Sequence, residues 1–315
     1  MNRLLRAAAV FGATTMALAG AATPAVAMPT LERQSYCFDA ESVVGAAAGA
    51  RGAGDGARGL DHRDISLREQ HAIAEQTRLA LARKGTTPAE AAADFSGATI
   101  PVYVHVMRDK AGNGDVTDSQ ISQQITVLNR TFGGQESSSA ADTGFTFTLA
   151  GTYRYNNDQW HKDRKSTQYR SQTRKGGADA LNIWLVDFSY LGIATFPWDY
   201  SKQPGIDGIR VHYDSLPGGS IANYNLGETA THEAGHWVGL YHTFQGGCTS
   251  TNDEVSDTPA QSSSTNGCPE GRDSCSLPGL DPIHNYMDYS YDSCYTEFTG
   301  GQAARSASMW TAYRL

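Results

Sequence analysis

The sequence predicts an α+β fold of mixed α/β character: a twisted mixed sheet, one helix that carries the chemistry, and an irregular C-terminal part. Three observations predict it. Strand-like and helix-like segments alternate from Ile100 to Leu216. A histidine-bearing helical segment follows, from Glu228. Four of the five cysteines then fall beyond Phe244, where regular periodicity ends.

The chain of 315 residues begins with targeting sequence. Arg3 and Arg6 form a positive start, Ala7 to Ala22 is largely apolar, and Ala25-Val26-Ala27 is an A-x-A cleavage site. The apolar run falls short of the roughly 20 residues that a membrane span needs. Residues 1–27 therefore read as a signal peptide, with cleavage after Ala27, a secreted product and no stable membrane insertion.

Residues 28–96 read as a pro-segment, or else as a poorly ordered extension. The run AAAGARGAGDGARG, Ala46 to Gly59, holds too little apolar surface to build a core and is linker-like. Leu67, Ile73, Leu79 and Leu81 predict a helix over Ser66–Arg83, stopped by Gly85.

Residues 97–315 form the third predicted part, a single folded domain. IPVYVHVM, Ile100 to Met107, has strand composition. Thr117 and Asp118 can cap a helix with Ile121, Ile125, Val127 and Leu128 on its apolar face. Phe145 to Tyr155, Ala180 to Phe188 and the run GIRVHYDSL read as further strands. From Phe244 onward the chain is rich in Gly, Ser, Asp and Cys and reads as irregular to its end.

Lys and Arg number 25 against 33 Asp and Glu, a net charge of −8, which argues against a nucleic-acid partner. Cys248, Cys268, Cys275 and Cys294 allow three pairings, and spacing does not choose among them. Cys37 stands alone.

The segment ETATHEAGHWVGLYH, Glu228 to His242, carries the chemistry. His232 and His236 are i and i+4, so on a helix both imidazoles face one Zn²⁺. Glu233 lies beside that face as a general base, and Zn²⁺ lowers the pKa of a bound water from about 15.7 toward ~7. A zinc site needs a third protein ligand. An unbroken helix would turn His242 away, but Gly239 can take positive φ, end the helix and bring His242 back. His105 and His212 lack such company and read as strand or surface residues.

The eleven-residue pattern resembles that of the metzincin metalloproteases. Taken with HEAGHWVGLYHTFQGGC, DTPAQ, NYMDYSYDSC and FTGGQAAR, the stretch from Ile100 to the C-terminus resembles the pappalysin family within that clan. The resemblance implies a metzincin-type zincin fold and a Met-turn at Met287, beneath the histidines. It implies that Tyr289 assists the tetrahedral intermediate, and that Cys248 pairs with Cys275 and Cys268 with Cys294. It also implies a structural Ca²⁺ near Asp253, Asp257 and Thr258, where oxygen ligands are dense. The stretch ALNIWLVDFSYLG is expected at the cleft edge, binding substrate by strand addition. Asp292 is expected in the pocket for the residue after the scissile bond, favouring Arg or Lys. Cys37, in the pro-segment, is expected to ligate zinc in a latent state.

These readings give a monomeric secreted metalloendopeptidase acting on proteins or peptides. Two other classes compete: an inactive binding protein on the same scaffold, and a zinc hydrolase of a specialised non-protein amide. The presence of Glu233 argues against the first.

Overall fold

The computed structural model describes residues 65–315. The signal peptide, the Ala/Gly stretch and Cys37 lie outside the described residues.

Each early element starts where its capping chemistry dictates. Ser66 accepts the Glu69 N–H and opens α1, Leu67–Arg83. Thr87 and Glu90 form a reciprocal capping box on α2, Pro88–Ala93. After β1, Ala98–Arg108, Thr117 and Gln120 form the same box on α3, Asp118–Phe132. Helix α3 buries Ile121, Val127 and Leu128, as the apolar period predicted. Then come β2, Phe145–Asn156, and two helices, α4, Asp158–His161, and α5, Ser166–Thr173. The last two lie in a polar stretch that gave no helical signal.

The remaining strands are β3, Leu181–Val186, β4, Gly192–Ala194, and β5, Ile209–His212. They join one mixed sheet in the order β2-β1-β3-β5-β4. The β1–β2, β1–β3 and β3–β5 pairs are parallel, and β4 runs antiparallel to β5. One expectation is corrected here. All six residues of β3 are buried, and it lies at the centre of the sheet rather than at its edge. A strand with both faces covered is a continuous apolar run, and Leu-Asn-Ile-Trp-Leu-Val fits that position. The two edges are β2 and β4, and β4 starts at Gly192, the last residue of the stretch ALNIWLVDFSYLG.

The main core lies between one sheet face and three helices: α3, α6 (Glu228–Trp237) and α7 (Gly300–Tyr313). Phe132, Phe147, Trp237, Phe298 and Trp310 fill it. Met107, Tyr169, Trp184 and Val186 form a smaller cluster. His105 is fully buried on β1, stacked on Trp184 and Tyr153, with its Nε2 2.9 Å from Asn182 Oδ1. Burial lowers its pKa to about 4. His212 sits at the end of β5, also buried.

Beyond Phe244 the chain is irregular as expected, and disulfides Cys248–Cys275 and Cys268–Cys294 staple it. The expectation fails at the end, where α7 forms a regular helix. Thr299 and Gln302 make a capping box there, and the Gly300-Gly301 pair in the first turn hides the helix from composition. Helices α1 and α2 pack against α7. Thr77 Oγ1 is 2.8 Å from the Tyr313 hydroxyl, and Lys84 Nζ donates to the Leu315 carbonyl at 2.7 Å. Among the described residues, no helix is long and apolar enough to cross a membrane.

Candidate active site

Helix α6 begins at Gly227, φ 99°, and buries all ten of its residues. His232 and His236 stand one turn apart on it. At its C-terminal end the Leu240 N–H bonds to the Gly235 carbonyl, and the Gly239 N–H bonds to the His236 carbonyl, both at 2.9 Å. This is a Schellman ending, with Gly239 at φ 105° in its left-handed position. The chain therefore reverses, as the glycine predicted, and brings His242 back.

The three imidazoles converge. His236 Nε2 lies 3.2 Å from His232 Nε2 and 3.1 Å from His242 Nε2. His232 Nδ1 lies 2.6 Å from the Tyr286 carbonyl, and His236 Nδ1 lies 2.8 Å from the Leu240 carbonyl. A carbonyl accepts only, so Nδ1 of each ring carries the proton and Nε2 presents its lone pair. Two nitrogens about 2.0–2.1 Å from a tetrahedral zinc stand roughly 3.3 Å apart, so the spacing fits that ion. Lone pairs this close repel one another unless a cation sits between them.

The site is enclosed by aromatic residues and by Met287. The Phe244 ring stacks on His242 with centroids 4.6 Å apart, and Phe196 meets His236 edge-on at 5.4 Å. The Tyr289 ring lies 5.0 Å from His242 and 5.7 Å from His232. Met287 is fully buried, and its carbonyl accepts the Thr243 N–H at 3.2 Å, fastening the chain just after His242. A Cβ at Gly235 would collide with the Met287 sulfur.

Sequence reasoning missed three of these residues. Gly235 is needed because the sulfur of Met287, far along the chain, occupies its side-chain space. Gly192 on β4 is needed because a Cβ there would collide with the Glu233 carboxylate. Asp288 is fully buried and accepts from Thr265 N and Gln261 Nε2 at 2.9 Å and from Tyr289 N at 2.8 Å. It anchors the backbone that carries Tyr289. Its pKa is raised, chiefly by burial.

Asp292 is buried in a short turn, Asp292–Cys294, that also holds a disulfide cysteine. Its Oδ2 accepts the Leu226 N–H at 2.9 Å, tying it to the segment that leads into α6. Of the proposed calcium residues, Asp253 and Thr258 meet at 2.6 Å through Asp253 Oδ1. Asp253 Oδ2 is buried with no hydrogen-bond partner among the described residues. Burial pushes the Asp253 pKa up to about 7. Asp257 turns elsewhere: it accepts from Thr299 Oγ1 and Gly301 N, both at 2.7 Å, at the start of α7.

Comparison with known proteins fits this geometry. The family described as peptidase M43, pregnancy-associated plasma protein-A, matches residues 189–310. An extracellular metalloprotease of Podospora anserina is 43% identical over 287 residues, covering 87% of this chain and 94% of that protein. One of Neurospora crassa is 45% identical over 243 residues, covering 75% and 81%. Mature mirolysin of Tannerella forsythia with a cleaved peptide superposes with TM-score 0.58 at 30% identity, over 67% of this chain and 90% of that one. A promirolysin mutant of the same organism superposes with TM-score 0.65 at 27% identity, over 80% and 94%. By its histidine helix, its mixed sheet and its similarity along most of a relative's length, the chain belongs to the pappalysin family of metzincin metalloproteases.

Proposed function

We propose that the chain is a secreted, zinc-dependent endopeptidase, made with a signal peptide and a pro-segment. The observation that carries this is the buried convergence of His232, His236 and His242 beside Glu233. Those three histidines would hold the ion. When bound, zinc polarises the scissile carbonyl and makes water acidic enough to yield hydroxide near neutral pH.

The protein's own groups do the rest. Edge strand β4 receives the extended substrate by strand addition, and main-chain hydrogen bonds fix its register. The Glu233 carboxylate takes the proton of the attacking water and delivers it to the leaving amine. The Tyr289 phenol donates to the oxygen that gains charge in the transition state. Met287 supports the histidines from beneath. Asp292 receives the side chain after the scissile bond and favours Arg or Lys. Purified processed protein is expected to degrade casein and to stop when zinc is chelated. Casein degradation that persists without zinc would refute this reading, and cleavage-site mapping without Arg or Lys after the cut would refute the pocket.

Cys37 ligates zinc in the uncut chain and holds it latent. The packing of α1 and α2 on α7 supports a cut upstream of Ile65, in the Ala/Gly stretch. A Cys37→Ala zymogen should then show premature activity before any cleavage. Calcium binds near Asp253 and Thr258, supported by the unpartnered Asp253 Oδ2. Removing calcium alone should lower the melting temperature and speed autolysis, since a ligand of the folded state stabilises it by mass action.

A further inference from the structure

Helix α6 carries a third ionisable side chain in register with its histidines. Glu228, His232 and His236 follow one another at four-residue steps, so they share one helix face a turn apart. Glu228 is only 2% exposed. Its Oε1 lies 3.7 Å from Arg130 Nη2 on α3, outside hydrogen-bond range. Its Oε2 is buried with no hydrogen-bond partner among the described residues. Arg130 is committed elsewhere, because its Nε lies 2.6 Å from Glu136.

Like charge lies close to Glu228. Burial raises its pKa well above the ordinary value, and the carboxylates of Glu136 and Asp292 add to the rise, while Thr231 and Arg130 oppose it. Glu228 and Glu136 thus share the Arg130 guanidinium, which lies closer to Glu136, and the Asp292 carboxyl adds its negative charge at Glu228. Asp292 spends Oδ2 on the Leu226 N–H, just ahead of α6, which brings the two carboxyls to the same end of the helix. A buried carboxyl oxygen without a donor carries an uncompensated desolvation cost. An incoming N–H donor with positive charge would remove it.

We infer that Glu228 is a specificity-determining residue: with Asp292 it forms a two-carboxylate base of the substrate pocket and accepts the far N–H groups of an arginine side chain. This rests on the reading that Asp292 lines the pocket after the scissile bond. A guanidinium presents five N–H donors in a rigid fork and can bridge two carboxyls. A lysine ammonium is a compact, strongly hydrated point charge without that planar fork, so it matches two fixed carboxyls less well. The pocket therefore separates arginine from lysine, which a single carboxylate does weakly.

The test uses processed holoenzyme and three peptides that differ only in the residue after the cut: Arg, Lys or Leu. The parent should prefer Arg over Lys, and both over Leu. Glu228→Gln keeps the shape and should lower kcat/KM for the Arg peptide about tenfold or more, chiefly through KM. The Arg-to-Lys ratio should fall toward one, and the Leu peptide should lose least. Asp292→Asn should weaken Arg and Lys together. An equal loss on all three peptides in Glu228→Gln would assign the residue a structural role and overturn the inference, as would an unchanged Arg-to-Lys ratio. Should Glu228→Gln fail to retain zinc, Glu228→Leu, which packs without charge, gives the same comparison. A parent without any basic preference would instead sink the pocket reading and this inference with it, an outcome distinct from the others.

Discussion

At the scale of single residues, the site is built by close approaches as much as by ligands. Gly192 and Gly235 each leave room for one side chain, the Glu233 carboxylate and the Met287 sulfur. A methyl at Gly192 must push Glu233 aside, and a displacement of about 1 Å can cost on the order of 10²-fold in rate. Gly192→Ala is therefore expected to lower kcat by at least about tenfold with zinc content unchanged, measured by steady-state kinetics beside metal analysis. His105, on β1 rather than on the histidine helix, gives a pH prediction. Its folded pKa is depressed, to about 4, by burial, so its contribution is complete above the unfolded value and lost as pH falls through about 4. The ceiling of that loss is roughly 3 kcal/mol for a shift of this size. Denaturant titrations from pH 7 to 4 should show a shallower acid loss in His105→Gln than in the parent. The histidines and Glu233 were legible because helix period fixes their spacing locally. Gly192, Gly235 and Asp288 were not, because each answers to a neighbour distant in sequence.

At the scale of elements, the ending of α6 decides whether three histidines meet. Gly239 holds φ 105°, and a Cβ there would lie 2.6 Å from Met309 Cγ on α7. Gly239→Ala therefore meets both backbone strain, of about 1–3 kcal/mol, and a clash. It is expected to lower the melting temperature and to weaken zinc retention in a chelator competition; an unchanged zinc affinity would show that the turn does not place His242. The strands were legible in composition, but their order was not. The family resemblance put the stretch ALNIWLVDFSYLG at the cleft edge, yet its apolar run buries both faces and belongs in the sheet's middle. The three-residue β4 is too short to announce itself by alternation. Helix α7 was hidden by Gly300 and Gly301, although Thr299 and Gln302 spell its capping box.

At the scale of the whole molecule, the C-terminal residues are clamped under the active-site helix. Arg314 is 3% exposed, reaches Asp207 at 3.0 and 3.2 Å and donates to the Trp237 carbonyl at 2.8 Å. Trp237 Nε1, Thr195 Oγ1 and a second guanidinium, Arg174 Nη2, also reach Asp207, at 3.1, 3.0 and 3.5 Å. Removing one partner of a buried charge pair typically costs about 3–5 kcal/mol, so Arg314→Met should unfold at distinctly lower denaturant than the parent. No local pattern marks this pair, since its members are separated by 107 residues. The same α7 receives α1 and α2, so residues from Ile65 onward are packed into one body with the site. On the proposed mechanism this body holds one zinc on His232, His236 and His242 while Glu233 moves the proton. The most direct test is zinc stoichiometry and peptide hydrolysis measured together on Glu233→Gln and the parent. Both proteins should hold one zinc per chain, and the variant should lose hydrolysis by about 10²–10⁴-fold. Parent-like hydrolysis by Glu233→Gln, or a fully active parent without zinc, would contradict this mechanism.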